Sequence, residues 1–182
     1  MTDGQQNHRN YPSQQLAARI ANHTLNPDPA QKEVALKLDH LVDRLIAARS
    51  QRGLVLGAAN VLLRWTGLFH RATIKGLYIY GGVGRGKTML MDMFHESVKA
   101  LRIDEDGVPA IWRLHFHDFM VLAQDLIHRA RHKEADYPIE SAATELAARG
   151  MVVCFDEMEV RDIADAMILA RLFSGMIDRG VI

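Results

Sequence analysis

From residue 81 to residue 88 the chain reads Gly81-Gly82-Val83-Gly84-Arg85-Gly86-Lys87-Thr88. The run fits G-x-x-x-x-G-K-[ST], a loop that cradles nucleotide phosphates. Its glycines let the backbone turn tightly and approach a pyrophosphate closely. Their N–H groups, together with the start of the following helix and Met89, make an anion cradle. Lys87 is placed to reach the β- and γ-phosphates, and the Thr88 hydroxyl to ligate Mg²⁺. The flanks suit the motif. Gly76-Leu77-Tyr78-Ile79-Tyr80 reads as a short strand before it, and Met89-Leu90-Met91-Asp92-Met93-Phe94 as a helix after it.

Such a loop needs an acid at the tip of another buried strand. Met151-Val152-Val153-Cys154-Phe155 is apolar throughout, as strands buried on both faces are, and Asp156-Glu157 follow at once. Gly150 is expected to end the preceding helix. Asp156 falls at the strand's carboxyl end, where open α/β sheets bind ligands. It is the candidate for the Mg²⁺ shell. Glu157 is the candidate for polarising an attacking water, which makes the pair favour hydrolysis over simple nucleotide binding.

Outward from these motifs the elements alternate. Strand Ala110 to His117, helix Asp118 to His132, helix Ile139 to Arg149, the acid-bearing strand and helix Arg161 to Asp178 follow in order. This βαβα order predicts a parallel, three-layer α/β sandwich. Upstream, residues 1–26 form a flexible polar N-terminus, with a short helix over Leu16 to Asn22. Residues 27–71 form a helical extension, and 72–182 the nucleotide-binding core. Asp28-Pro29-Ala30-Gln31 reads as a helix start, with an acid cap, an early proline and Gln31 in the capping-box position. Val34, Leu38, Leu41 and Leu45 then recur at helical spacing, which is core packing before it is a partner groove. The stretch Gln51 to Arg71 is a mixed connector.

Three segments closely resemble the ZapE family of AAA+-like ATPases, bacterial cell-division ATPases with mitochondrial relatives. They are Lys75 to Asp92, Arg113-Leu114-His115-Phe116-His117-Asp118-Phe119-Met120, and Cys154 to Leu169 with its Asp162-Ile163-Ala164-Asp165-Ala166-Met167 run. The likeness extends over residues 27–182. It implies an ATPase using ATP and Mg²⁺ and acting on protein partners, at the division ring in bacteria or on respiratory proteins in mitochondria. It also implies a homo-oligomer when full length and peripheral association with the inner membrane. Family members continue past the position of Ile182 into a sensor strand, an arginine finger and a C-terminal part. The resemblance therefore implies that the chain as given is truncated, and that it binds ATP but turns it over poorly. Gly180-Val181-Ile182 looks like the start of that next strand.

Composition narrows the field. In 182 residues Lys+Arg and Asp+Glu both number 22, so no bulk charge draws the chain to nucleic acid. The single cysteine, Cys154, excludes an internal disulfide. The stretch Gly53 to Phe69 is interrupted by Asn60 and Arg64, so it does not read as a membrane span. The N-terminus lacks a signal-peptide pattern, and a cytoplasmic location is expected. The nine methionines read as core filler. No Asn-Lys-x-Asp motif points to guanine, and the acid pair speaks against a small-molecule kinase. A nucleotide-regulated interaction protein with little hydrolysis is the alternative to an ATPase.

Two constellations stay open. Arg113, His115 and His117 share one face of their strand, with Trp112, Leu114 and Phe116 on the other. His115 and His117 with Asp118 form a metal pair, or the three residues are hydrogen-bonded structural groups, or His117 is a coupling residue that orients Glu157. His128, Arg129, Arg131, His132 and Lys133 close a helix, where they favour its dipole or form a patch for acidic partners.

Overall fold

The computed structural model describes residues 10–54, 74–99, 111–160 and 162–182, with the backbone alone for 49–54. Residues 1–9 of the expected flexible terminus, the connector from 55 to 71, and the expected element ends at Ala110 and Arg161 lie outside the described residues. The described elements run α1 (Pro12–Ala21), α2 (Pro29–Leu54), α3 (Lys87–Lys99), β1 (Ile111–His115), α4 (Phe116–His132), α5 (Pro138–Ala147), β2 (Val152–Asp156) and α6 (Ile163–Asp178). They group into two compact units.

The first unit holds α1, α2, the glycine loop and α3. Leu38, Leu41 and Leu45 of the α2 stripe are buried, along with Ala35 and Val42, against Leu16 of α1 and Leu90, Met93 and Phe94 of α3. The stripe is therefore core. Of the three α3 methionines only Met93 is fully buried; Met89 and Met91 are half-buried. Helix α1 starts at Pro12, four residues before the expected Leu16. Asp39 of α2 explains that early start, since its carboxylate accepts from the Ser13 N–H at 3.0 Å and so caps α1 from a neighbouring helix. The Gln15 amide donates to the Met93 carbonyl at 3.0 Å and to Ser97 Oγ at 3.1 Å, joining α1 to α3. No described helix is long and apolar enough to cross a membrane.

The second unit holds β1, α4, α5, β2, α6 and the chain end. β1 and β2 pair in parallel, in register from Ile111↔Val152 to His115↔Asp156. Phe119 of α4, fully buried, is the hub of an aromatic cluster. Its ring centre lies 4.7 Å from Phe155, 5.8 Å from Phe173 and 6.4 Å from both Trp112 and Phe116. α5 packs between α4 and α6. On the other side of β2, Ile182 donates to the Met151 carbonyl at 2.8 Å and accepts from the Val153 N–H at 2.9 Å. Those two bonds are the pattern of a parallel neighbour and are made by Ile182; Gly180, with φ 86°, belongs to the turn after α6.

The described sheet is thus small, and the architecture is mixed α/β with helices predominating. Gly76 to Tyr80, expected as a strand of that sheet, makes no ladder bond among the described residues. The rings of Tyr78 and Tyr80 stack at 6.5 Å, as side chains two apart do on one face of an extended segment. Both rings are exposed. Helix ends also differ from expectation. α5 stops at Ala147 rather than Arg149, and Gly150 does not take the left-handed cap conformation. α6 starts at Ile163 because the Asp162 carboxylate accepts from the Ala164 N–H at 2.7 Å.

Candidate functional site

The loop owes its shape to glycine. Gly81, Gly84 and Gly86 have φ of 151°, 76° and 81°, values that side-chain-bearing residues rarely adopt. Gly86 is constrained twice, because a Cβ there would lie 3.0 Å from Gln31 Nε2 and 3.3 Å from the Met89 methyl. α3 begins directly at Lys87, and its first helical bond runs from the Leu90 N–H to the Gly86 carbonyl at 3.0 Å. The N–H groups of Lys87, Thr88 and Met89 therefore have no partner within the helix. No acid occupies that first turn, so nothing opposes an anion there. The Lys87 ammonium folds back over the loop and donates to the carbonyls of Gly81 and Gly82, both at 2.8 Å. A cradle of N–H groups with a mobile cation at its rim fits a phosphate chain.

The start of α2 holds this loop from outside. Asp28 caps α2 through the Ala30 N–H at 2.8 Å and pairs with the Arg85 guanidinium at 3.5 Å. Gln31 does not close a capping box. Its amide instead donates to the Arg85 carbonyl at 3.2 Å, and its Oε1 is buried without a hydrogen-bond partner among the described residues. Sequence reasoning missed both residues as loop supports. The signal was their clustering at a helix start, which is explained equally well by capping alone.

The acids lie in the second unit. Asp156 ends β2 and is nearly buried. Arg113 of β1 meets it from the neighbouring strand, with Nε 2.8 Å and Nη2 2.7 Å from the same oxygen, Oδ2. That pairing follows from register, because Arg113 sits opposite Cys154, two residues before Asp156. The opposed face of β1 thus serves structurally at Arg113. Glu157 has a left-handed backbone, φ 53°, unusual for a residue with a side chain. The chain turns sharply off β2 there, and Glu157 is exposed. Burial lifts the thiol of Cys154, between these groups, to about 12, with Arg113 lowering it and Asp156 raising it further.

His117 is not where the alternation placed it. β1 ends at His115, and His117 is the second residue of α4, exposed to solvent. His115 and His117 do not share a strand face, and no hydrogen bond joins His117 to Glu157 among the described residues. No group of three or more His, Cys, Asp or Glu side chains among the described residues is arranged to hold a metal ion. For a hard cation such as Mg²⁺ the suitable donors are oxygens: the Thr88 hydroxyl and the Asp156 carboxylate, whose Oδ1 takes no hydrogen bond among the described residues. Thr88 and Lys87 belong to the first unit, Asp156 and Glu157 to the second. In the basic cluster, His128 and His132 meet edge to face one turn apart with Nε2 atoms 3.3 Å from each other, and Arg129 pairs with Asp125 at 3.0 Å.

Comparison with known proteins bears on the whole chain. The sequence profile of the AFG1-like ATPases matches residues 10–182. The cell division protein ZapE of Escherichia coli K12 is 34% identical over 174 residues, covering 93% of this chain and 44% of that protein. Lactation elevated protein 1 homolog B of Danio rerio is 42% identical over 117 residues, covering 59% of this chain and 22% of that protein. An uncharacterized protein of Schizosaccharomyces pombe is 39% identical over 115 residues, covering 59% of this chain and 23% of its own length. The chain spans less than half the length of these curated relatives. No solved structure matches it.

Proposed function

The chain belongs to the AFG1-like ATPase family, and from that premise we propose that it binds ATP on the Gly81–Met89 loop and carries the acids for its hydrolysis. The observation that carries this reading is Lys87, whose ammonium lies over the loop carbonyls of Gly81 and Gly82. Exchanging two carbonyls for phosphate oxygens needs rotation of one flexible side chain and gains an anionic partner. The free N–H groups of the loop and of the first turn of α3 then hold the β- and γ-phosphates. Thr88 and Asp156 would hold Mg²⁺, which when bound neutralises developing phosphate charge. Glu157 would take a proton from a water as its oxygen bonds to the γ-phosphorus. The bond from that phosphorus to the bridging oxygen breaks, releasing ADP and phosphate.

Calorimetric titration of Mg-ATP into the parent chain and into Lys87→Ala tests the assignment. Loss of a charge-assisted contact is expected to weaken binding about ten- to hundred-fold. Equal affinity in the two proteins would remove the loop from the nucleotide site.

The name of the ZapE relative points to cell division, and the family resemblance points to protein clients. We assign the whole protein protein clients at the division ring or inner membrane, a cytoplasmic location with peripheral membrane contact, and homo-oligomeric assembly. Crosslinking of full-length protein in cells reads this out; recovery of nucleic acid instead of protein clients would contradict it.

A further inference from the structure

The Arg113–Asp156 contact has a use beyond holding two strands together. A nearly buried carboxylate needs a partner, and a guanidinium supplies one. The fork does not straddle the carboxylate, however. Its two hydrogen bonds to Asp156 both land on Oδ2, at 2.8 Å and 2.7 Å, and among the described residues Oδ1 takes none. One oxygen is thereby fixed and the acid's charge is balanced, while the other oxygen stays available. A carboxylate paired in this way is a poor site for a divalent cation, which meets the positive guanidinium beside the acid in place of a bare anion. The balance changes when phosphates arrive, because they supply the negative charge that Arg113 has cancelled.

We propose that Arg113 is a positioning residue that guards Asp156, so that a divalent cation is accepted there only together with nucleotide phosphates. The proposal rests on the reading of Asp156 as the cation-holding acid, and names its regulation. A nucleotide site controlled in this way takes up the cation–nucleotide complex as one ligand and does not fill with metal in the absence of nucleotide.

Mn²⁺ binding, read from the loss of the free-ion paramagnetic resonance signal, tests it on the whole chain without any turnover. In the nucleotide-free parent, Asp156→Asn is expected to leave Mn²⁺ affinity unchanged, since the guarded carboxylate contributes nothing. With ATP present, the same substitution is expected to weaken Mn²⁺ retention. Arg113→Gln is expected to tighten nucleotide-free Mn²⁺ binding by about tenfold or more, a gain removed again in Arg113→Gln/Asp156→Asn. Arg113→Lys, which keeps the charge without the fork, is expected to fall between. A purely structural Arg113 would shift the melting temperature of these variants and create no metal affinity. Strong nucleotide-free binding by the parent that Asp156→Asn abolishes overturns the guard, as does an Arg113→Gln variant that melts like the parent and gains no Mn²⁺. Should Arg113→Gln fail to fold, the parent, Asp156→Asn and Arg113→Lys decide the matter. Failure of the underlying site looks different: ATP then adds no Mn²⁺ binding in the parent, whatever the nucleotide-free variants do.

Discussion

Glu157 carries a left-handed backbone directly after β2. Such a conformation in a residue with a side chain costs on the order of 1–3 kcal/mol and persists where the surroundings impose it. Here it turns the chain away from the line of the strand, directly after Asp156. If that direction serves the proton transfer, Glu157→Gln should keep Mg-ATP affinity and lose turnover, by about 10²–10⁴-fold in the full-length protein. Hydrolysis at the parent rate would leave the proton acceptor elsewhere. Cys154, two residues before the acid, makes the opposite kind of prediction. It is buried, 7% exposed, and its thiol is pushed up to about 12. Its raised value means that stability from keeping the thiol neutral is present below about 9 and lost as pH climbs through 12. At pH 8 the one thiol of the chain should resist a disulfide reagent until denaturant exposes it, and prompt labelling of native protein would contradict its burial.

At this scale the sequence was readable wherever the structure is local. The glycine turn before Lys87 and the strand end at Asp156 follow from spacing within single segments. Arg113 as the partner of Asp156 was not readable, because 43 residues separate them and only the strand register brings them together. His117 was misplaced for a local reason. The alternation of Arg113, His115 and His117 outlasts the strand, since Phe116 turns inward as the first turn of α4 and keeps the period-two pattern for two residues more.

Among the elements, helix periodicity and one cap were legible: the α2 stripe and the Asp28 cap both appear, whereas Asp162, expected inside the last helix, caps it instead. Less legible were the uses of residues that serve two elements. Asp28 both caps α2 and holds Arg85, and Gln31 supports the loop in place of the cap. Close helix packing was invisible as well. Gly175 of α6 lets α5 approach so nearly that a Cβ there would lie 2.8 Å from the Ala143 methyl. Ala143 is fully buried, so it cannot swing aside. Gly175→Val should cost about 1–3 kcal/mol through overpacking. Gly175→Ala combined with Ala143→Gly should melt higher than Gly175→Ala alone, because the second change opens the space that the first fills. Equal melting of the single and double variants would show that the helices part freely at this point.

For the molecule as a whole, the question is whether its two compact units answer to one ligand. Lys87 and Thr88 belong to one unit and Asp156 to the other. A ligand held by the native state stabilises it by about 2.7 kcal/mol at a hundred times its dissociation constant. In a chain of this size that raises the melting temperature by about 5–10 °C. The loop alone should respond to ATP in the presence of a chelator, since its N–H groups and Lys87 need no metal. Mg²⁺ should add a further increment only if Asp156 takes part. Lys87→Ala should then lose the response to ATP with or without Mg²⁺, while Asp156→Asn should keep the chelator response and lose the Mg²⁺ increment. A nucleotide bound by the first unit alone predicts instead that Asp156→Asn melts with the parent's full Mg-ATP shift. That single comparison separates a shared site from a loop acting by itself, and it does so without relying on turnover.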